Sequence, residues 1–306
     1  MLEQYKDKIM ELLDGDCENI ELVSQTSNIV FKAETQKYGR VYIKIYLHHS
    51  SHIDHELYIY SLLEKEYLKE LIISSEDPKI AIFKELKGKT LDELSLEELK
   101  EYKEKIIESV IHFYESIGKC KAKGYGILDE KRQGTSSIFL DFIQKRQLDT
   151  QNNLQGYNLL DDAFTRIIMR YKDLLLSDNS LVPIDTNAKN IMVTEQGEIK
   201  FIDPGELISG PILMGYGDFA AHIYKTELYE CLINKLSLSK DDEIRLHIYA
   251  VFSSLNILAF LKKMGVTDLK SVIPFGNKYS FYKLIEEHLQ AIDINPVCKI
   301  KKRKEE

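Results

Sequence analysis

The stretch that decides the fold is PIDTNAKNIMV at residues 183–193, continued after Gly197 by IKFIDPG at residues 199–205. Polar loops and short apolar runs alternate here, which predicts loop, strand, turn, strand and loop. Asp185, Asn190 and Asp203 would then lie near the mouth of one hairpin. Carboxylate and amide oxygens are the ligands that hard cations prefer, so the hairpin is a candidate metal site.

The three polar residues of this hairpin suit a particular chemistry. Phosphoryl transfer from ATP needs Mg²⁺ to neutralise phosphate charge, and a carboxylate to orient the attacking hydroxyl and accept its proton. Asp185 suits the second task as a catalytic base, and Asn190 with Asp203 suits the first as metal ligands. Asp and Asn also cap turns and helices, and that simpler interpretation is the better one for any of them taken alone.

A lysine and a glutamate earlier in the chain favour the same chemistry. Lys44 lies within the apolar run YIKI at residues 42–45, where an unpaired buried ammonium would be costly. Glu56, in the next predicted helix, can supply the ion pair that directs Lys44 to the α- and β-phosphates. Each residue alone is more simply interpreted as solvated. Their order ahead of the 183–205 segment favours the functional interpretation.

Apolar patterning divides the chain into a β-rich and a helical part. Short apolar or alternating runs predict strands at residues 19–24, 28–33, 41–47, 71–74 and 79–84. A repeat at every third and fourth position predicts a helix at 53–67. Beyond Gly88, long helices are predicted from Ser95, where Glu98 completes a capping box, and at 218–236, 240–264 and 280–292. The fold class is therefore α+β, with a β-rich N-terminal lobe at 1–86 and a mainly helical lobe at 87–306, the order of a bilobal protein-kinase-like fold.

These motifs resemble the aminoglycoside phosphotransferase and choline kinase superfamily over roughly residues 22–224. SQTSNIVF at 24–31 resembles the family's phosphate loop, and by that match Ser27 would cover the phosphates. IFKELKGKTL at 82–91 is similar to the family hinge, so the Lys84 carbonyl and the Leu86 amide would hold adenine.

The match has a departure at the catalytic loop. The family usually has His-Gly-Asp where this chain has Pro183, Ile184 and Asp185, so the hydrogen bonds that brace the loop must come from elsewhere. Ala188 stands where a proline is common. A segment from Gly210 to Ala220 resembles the one that follows the family's metal-binding Asp.

The resemblance implies a small-molecule kinase that transfers the γ-phosphate of ATP, with Mg²⁺, to a hydroxyl of an aminoglycoside-like antibiotic, an amino alcohol or a sugar. Antibiotic resistance is one role that such a kinase would have. Two alternatives stay open: a nucleotide-binding pseudokinase without turnover, and a kinase-like structural protein of the spore-coat type. Specificity is expected between residues 129 and 178 and along the late helices. Four acids there are candidate contacts for an amine: Asp141, Asp161, Asp162 and Asp218.

Composition limits the expected partners and compartment. The chain has 41 Lys+Arg against 49 Asp+Glu, a formal net charge of −8, which argues against nucleic acid and mildly favours a cationic substrate. The four cysteines are scattered without a CxxC pair, as expected for reduced thiols. The N-terminal residues carry acids and lack a long apolar run, so we expect neither a signal peptide nor a membrane anchor, and a cytoplasmic protein.

Overall fold

The computed structural model describes residues 2–25, 28–47, 51–154, 158–175, 178–274 and 276–293. Along them the helices and strands follow in this order: α1 (Leu2–Leu12), β1 (Glu18–Gln25), β2 (Asn28–Thr35), β3 (Gly39–Tyr46), α2 (Ser51–Leu62), β4 (Leu71–Glu76), β5 (Lys79–Lys84), β6 (Gly88–Thr90), α3 (Leu96–Gly118), β7 (Tyr125–Leu128), β8 (Gly134–Ser136), α4 (Phe139–Asn153), α5 (Asn158–Tyr171), β9 (Ser180–Ile184), β10 (Ile191–Thr194), β11 (Ile199–Phe201), β12 (Glu206–Gly210), α6 (Leu213–Ile223), α7 (Glu227–Leu236), α8 (Lys240–Lys263) and α9 (Phe281–Ala291).

Contacts divide the chain into two compact units. The first consists of Met1–Leu94 with Lys189–Glu206, and the second of Ser95–Ala188 with Leu207–Glu306. The hairpin β10–β11 therefore groups with the first unit although it lies far along the sequence. The predicted lobe boundary between residues 86 and 87 stays a prediction.

The first unit is built on an antiparallel sheet of five strands in the order β1-β2-β3-β5-β4. Alternate residues of β3 point to opposite faces. Val41, Ile43 and Ile45 are buried in one core with Ile9 of α1, while Tyr46 packs in a second core with Ile53 of α2. Lys44 shares the strand face of Tyr46, and this alternation directs it toward α2.

A smaller sheet in the first unit carries the hairpin quoted above. Its strands lie in the order β11-β10-β6, all antiparallel. The pairing of Ile191 with Phe201 places the start of β10 beside the end of β11. The residues just outside these strand ends, Asn190 and Ile202, are joined by a backbone hydrogen bond of 2.9 Å from the Ile202 N–H to the Asn190 carbonyl.

The second unit is mainly helical, with a four-stranded sheet in the order β8-β7-β12-β9. The helix α3 begins at the predicted capping box: Glu98 N–H donates to the Ser95 hydroxyl and the Glu98 carboxylate accepts from Ser95 N–H. The helix α8 packs against α4, α6 and α9. Within the described part of the chain it is also the one helix long and apolar enough to cross a membrane, and 56% of its most apolar stretch is buried inside the protein, as in a core helix.

Most predicted elements are present, and two predictions were wrong in their bounds. The helix predicted at 53–67 ends at Leu62, near the glutamate that interrupts its apolar stripe. The helix predicted at 218–236 is two helices, α6 and α7, because Lys225 between them has φ +62°, a left-handed conformation that no α-helix continues through.

Candidate active site

The ion pair that the sequence predicts between Lys44 and Glu56 is present in the first unit. Lys44 Nζ lies 2.8 Å from Glu56 Oε2, and the side chains are 9% and 2% exposed. The strand β3 contributes the lysine and α2 the glutamate. Isolation from water strengthens the attraction between the charges and also makes either charge costly without the other.

Asp203 completes a three-residue cluster around the same ammonium. Both of its carboxylate oxygens lie 3.1 Å from Lys44 Nζ. Its side chain is 46% exposed, unlike that of Glu56. Burial alone would lower the pKa of the Lys44 ammonium, but the carboxylates of Glu56 and Asp203 outweigh it and raise that pKa above its ordinary value. Lys44 is therefore held as a cation between a buried carboxylate and one that faces solvent.

Two further side chains that sequence reasoning missed surround Glu56. Tyr46 Oη donates to Glu56 Oε2 at 2.5 Å, and Lys69 Nζ lies 3.6 Å from Glu56 Oε1. The Lys69 ammonium also lies 3.7 Å from the centroid of the Phe83 ring. Burial would raise the pKa of Glu56, but Lys44 and Lys69 hold it below its ordinary range. Burial lowers the pKa of Lys69 itself. No periodicity marks Lys69, so the sequence offered no signal for it.

The structure places the two predicted metal ligands at one end of the β10–β11 hairpin. Asn190 precedes β10, and Asp203 follows β11 by two residues. No group of three or more His, Cys, Asp or Glu side chains within the described ranges could hold a metal ion. Mg²⁺ commonly takes one or two protein carboxylates and completes its shell with phosphate oxygens and water. A half-exposed carboxylate beside an amide residue fits an ion held jointly with a nucleotide, and does not form a protein-only cage.

The two predicted adenine-binding residues, Lys84 and Leu86, lie at the end of β5 and just beyond it. Lys84 is the last residue of β5, and its N–H donates to the Glu70 carbonyl at 2.9 Å. The next N–H, that of Glu85, donates to the Arg40 carbonyl, also at 2.9 Å. Leu86 comes directly after this pair. The contacts of Lys84 and Leu86 with adenine stay predictions, and Ser27 lies outside the described residues.

Asp185, the predicted base, lies in the second unit just after β9. Its side chain is exposed and its backbone has φ +72°, a conformation that non-glycine residues adopt rarely and that other contacts must support. Asn187 Nδ2 donates to Asp185 Oδ1 at 2.8 Å. The carboxylate is thus oriented by a neighbour and remains open to solvent, as a base that meets a substrate hydroxyl must be.

Asp218 supplies hydrogen bonds that brace the loop bearing Asp185. Its Oδ2 accepts the N–H of Asp185 at 2.8 Å and that of Thr186 at 3.0 Å, and its Oδ1 accepts the Ser253 hydroxyl. Gly217 before it lets α6 approach α8, since a Cβ there would overlap Tyr249. Both carboxylate oxygens of Asp218, a candidate amine contact by sequence, thus accept hydrogen bonds within the protein, and its role toward a substrate stays a prediction.

The other three candidate amine contacts have different outcomes. Asp141 lies in the first turn of α4 and is exposed. The side chains of Asp161 and Asp162 are outside the part that the structure describes. No observed contact places any of these three acids at a substrate, so their role as amine contacts stays a prediction.

No protein-family model matches the sequence, and no curated protein is significantly similar to it. Solved structures are nevertheless similar over nearly the whole chain. Aminoglycoside phosphotransferase APH(4)-Ia aligns with 96% of this chain and 97% of its own, with a TM-score of 0.69 and 14% identity. Choline kinase LicA from Streptococcus pneumoniae aligns with 95% and 98% (TM-score 0.62, 14% identity). Plasmodium vivax ethanolamine kinase aligns with 95% and 88% (TM-score 0.59, 16% identity).

The chain therefore has the kinase-like fold of these three proteins, which confirms the predicted resemblance and the α+β fold class. Similarity at 14–16% identity establishes the fold, whereas function depends on the site that the fold carries. A thermostable mutant of aminoglycoside phosphotransferase APH(4)-Ia has been solved with AMP-PNP and hygromycin B, and choline kinase LicA with AMP.

Proposed function

We propose that this protein is an ATP- and Mg²⁺-dependent kinase that phosphorylates a hydroxyl group of a small molecule. The observation that carries the proposal is the cluster of Lys44, Glu56 and Asp203. One ammonium is bonded to a buried carboxylate from α2 and to a half-exposed carboxylate after β11. Within a kinase-like fold, this pattern matches the residues that bind nucleotide phosphates and the associated metal.

Each residue has a defined task in this proposal. Lys44, oriented by Glu56, binds phosphate oxygens of ATP, and Asp203 with Asn190 holds Mg²⁺. When bound, Mg²⁺ would neutralise the charge on the phosphates. Asp185 accepts the proton of the substrate hydroxyl, and Asp218 keeps the loop that bears Asp185 in its strained conformation. The Lys84 carbonyl and the Leu86 amide bind adenine, with Ser27 near the phosphates.

The acceptors to test first come from the structural neighbours. Their names specify an aminoglycoside, choline and ethanolamine as substrates of those proteins. Together with sugars, these compounds form a first panel for this chain. A role in antibiotic resistance and a cytoplasmic location belong to the same proposal and depend on which acceptor is found.

The experiment that tests the proposal is ATP consumption across that panel by the wild-type protein and by Asp185→Ala. We expect turnover with at least one acceptor, and a loss of about 100-fold or more in kcat for Asp185→Ala at unchanged nucleotide affinity. Glu101→Ala, which removes an exposed acid of α3 in the same unit and outside the stretch expected to determine specificity, is the matched control and should retain activity. Nucleotide binding without turnover of any acceptor would favour the pseudokinase, and absence of nucleotide binding would favour a structural protein.

A further inference from the structure

Lys69 is a largely buried cation without a task in the proposed mechanism. Its ammonium lies 3.6 Å from Glu56 Oε1, and its side chain is 15% exposed. That oxygen accepts no hydrogen bond among the described residues, whereas Oε2 is bonded to Lys44 and Tyr46. The carboxylate of Glu56 is therefore divided between two lysines, and Lys69 holds the oxygen that Lys44 does not.

The backbone on either side of Lys69 is held by two strands of the first unit. Leu68 forms a β-bridge with Phe201, the last residue of β11. On the other side, the Glu70 carbonyl accepts the N–H of Lys84 at 2.9 Å, at the end of β5. The position of Lys69 is thus set by backbone contacts that do not depend on its ion pair.

The surroundings of the Lys69 ammonium favour its charged form despite burial. The ammonium lies 3.7 Å from the centroid of the Phe83 ring, and the face of an aromatic ring attracts a cation. Burial lowers the pKa of Lys69, and Glu56 acts in the opposite direction. The same charge helps to hold the pKa of Glu56 below its ordinary value. Lys69 and Glu56 therefore stabilise each other as ions.

The charges of this cluster indicate what the second lysine adds. Lys44 and Glu56 alone form a neutral pair, so a phosphate would meet an ammonium whose charge is already balanced. With Lys69 present, two ammoniums and one carboxylate leave one net positive charge. In the free protein Asp203 balances that charge at 3.1 Å from Lys44. In the proposed function Asp203 serves Mg²⁺, which leaves the positive charge for the phosphates.

Building on the proposed kinase function, we propose that Lys69 is a positioning residue for the nucleotide: by balancing Glu56, it leaves the charge of Lys44 available to phosphate oxygens. Lys69 acts through Glu56 and not by contact with the nucleotide. Its removal should therefore weaken binding more as the charge of the ligand's phosphates increases. A loss of packing beside Phe83 would instead weaken ligands with and without phosphates alike.

The test is calorimetry on the full chain, with Mg²⁺ present, for ligands that differ in phosphate charge. Adenosine, ADP and ATP form the series, and inorganic tripolyphosphate supplies the phosphate charge without adenine. Lys69→Met should weaken ATP and tripolyphosphate binding about tenfold, the scale of one unit charge removed from a partly buried site. It should weaken ADP less and leave adenosine unchanged.

Further variants separate the charge of Lys69 from its packing. Lys69→Arg keeps a positive charge, so it should restore ATP affinity to within about threefold of the wild-type value. Lys69→Gln removes the charge but keeps a polar group, and it replaces Lys69→Met if melting temperatures show that the methionine variant is unfolded. Lys65→Met removes an exposed lysine of the same segment and should change none of the affinities.

Two results would overturn the role of Lys69: equal losses for adenosine and ATP, or unchanged ATP and tripolyphosphate binding in the uncharged variants. If the wild-type protein binds ATP with Mg²⁺ and either result is found, the kinase proposal stands without this role. Binding of tripolyphosphate that depends on Lys69, without binding of ATP, would support the role and count against the kinase. A wild-type protein that binds neither would overturn both.

Discussion

The carboxylate of Asp218 accepts the backbone N–H of Asp185 at 2.8 Å, across 33 residues of sequence. The bond fixes a residue at φ +72°, which is a strained conformation for aspartate. Asp218 is thus a positioning residue: its Oδ2 shapes the loop that carries the proposed base, while its Oδ1 accepts the Ser253 hydroxyl.

Removal of the Asp218 carboxylate should therefore cost stability and activity together. Asp218→Ala leaves the buried Thr186 N–H and the partly buried Asp185 N–H without this acceptor. We therefore expect the free energy of unfolding to fall by about 2 kcal/mol and kcat to fall, while the nucleotide Kd is unchanged. Asp218→Asn should lose less, because its amide oxygen can still accept both N–H groups. Denaturation and steady-state kinetics check the ranking, and equal losses in the two variants would contradict the bracing role.

The two lysines next to Glu56 should respond very differently to substitution. Lys44→Met leaves Glu56 buried without its closest cation, and we expect a loss of about 3–5 kcal/mol in the free energy of unfolding together with loss of nucleotide binding. Lys69→Met leaves Glu56 bonded to Lys44 and Tyr46 and removes an ammonium whose burial is itself costly, so stability should change by about 1 kcal/mol at most and nucleotide binding should persist. Chemical denaturation and nucleotide thermal shifts measure both. A Lys69 variant that behaves like Lys44→Met would mean that the two cations act as one unit.

A buried histidine pair should make stability depend on pH. His247 Nδ1 and His288 Nδ1 are 2.7 Å apart, and the Tyr224 ring stacks on His288 with a centroid distance of 3.9 Å. Burial lowers the pKa of His247 from 6.5 to about 4, and burial together with His247 lowers the pKa of His288 well below its usual value. Neighbouring Glu287 is bonded to Lys225 and Lys283, so its charge is already balanced.

The sign of this dependence follows from which state binds protons. Well above pH 6.5 the two rings are neutral in both the folded and the unfolded chain. As the pH falls from about 6.5 toward about 4, the unfolded chain binds protons that the folded chain does not, so the free energy of unfolding decreases. His247→Phe should remove up to about 1.4 kcal/mol per pH unit of this slope. Parallel curves for wild type and His247→Phe would rule out the pair as the source.

The contacts that could be predicted from the sequence are those that a local pattern of residues indicates. A charge in the middle of an apolar strand requires a partner, which identified Lys44 and led to Glu56 twelve residues later. The hairpin that holds Asn190 and Asp203 follows from alternating runs around a glycine turn. In each case the signal lies within about one element of the residues concerned.

The remaining contacts join residues that no local pattern connects. Asp203 meets Lys44 across 159 residues, and Asp218 meets Asp185 across 33. Lys69 lies in an irregular segment without periodicity, so nothing in the sequence indicated that it would lie beside Glu56.

Mg²⁺-dependent binding of ATP, compared by calorimetry between the wild-type protein and Asp203→Ala, tests the central proposal most directly. We expect that the wild-type protein binds ATP more tightly with Mg²⁺ than without it, and that Asp203→Ala loses this difference while remaining folded. Absence of ATP binding in the wild-type protein, or the same Mg²⁺-dependent affinity in Asp203→Ala, would contradict it.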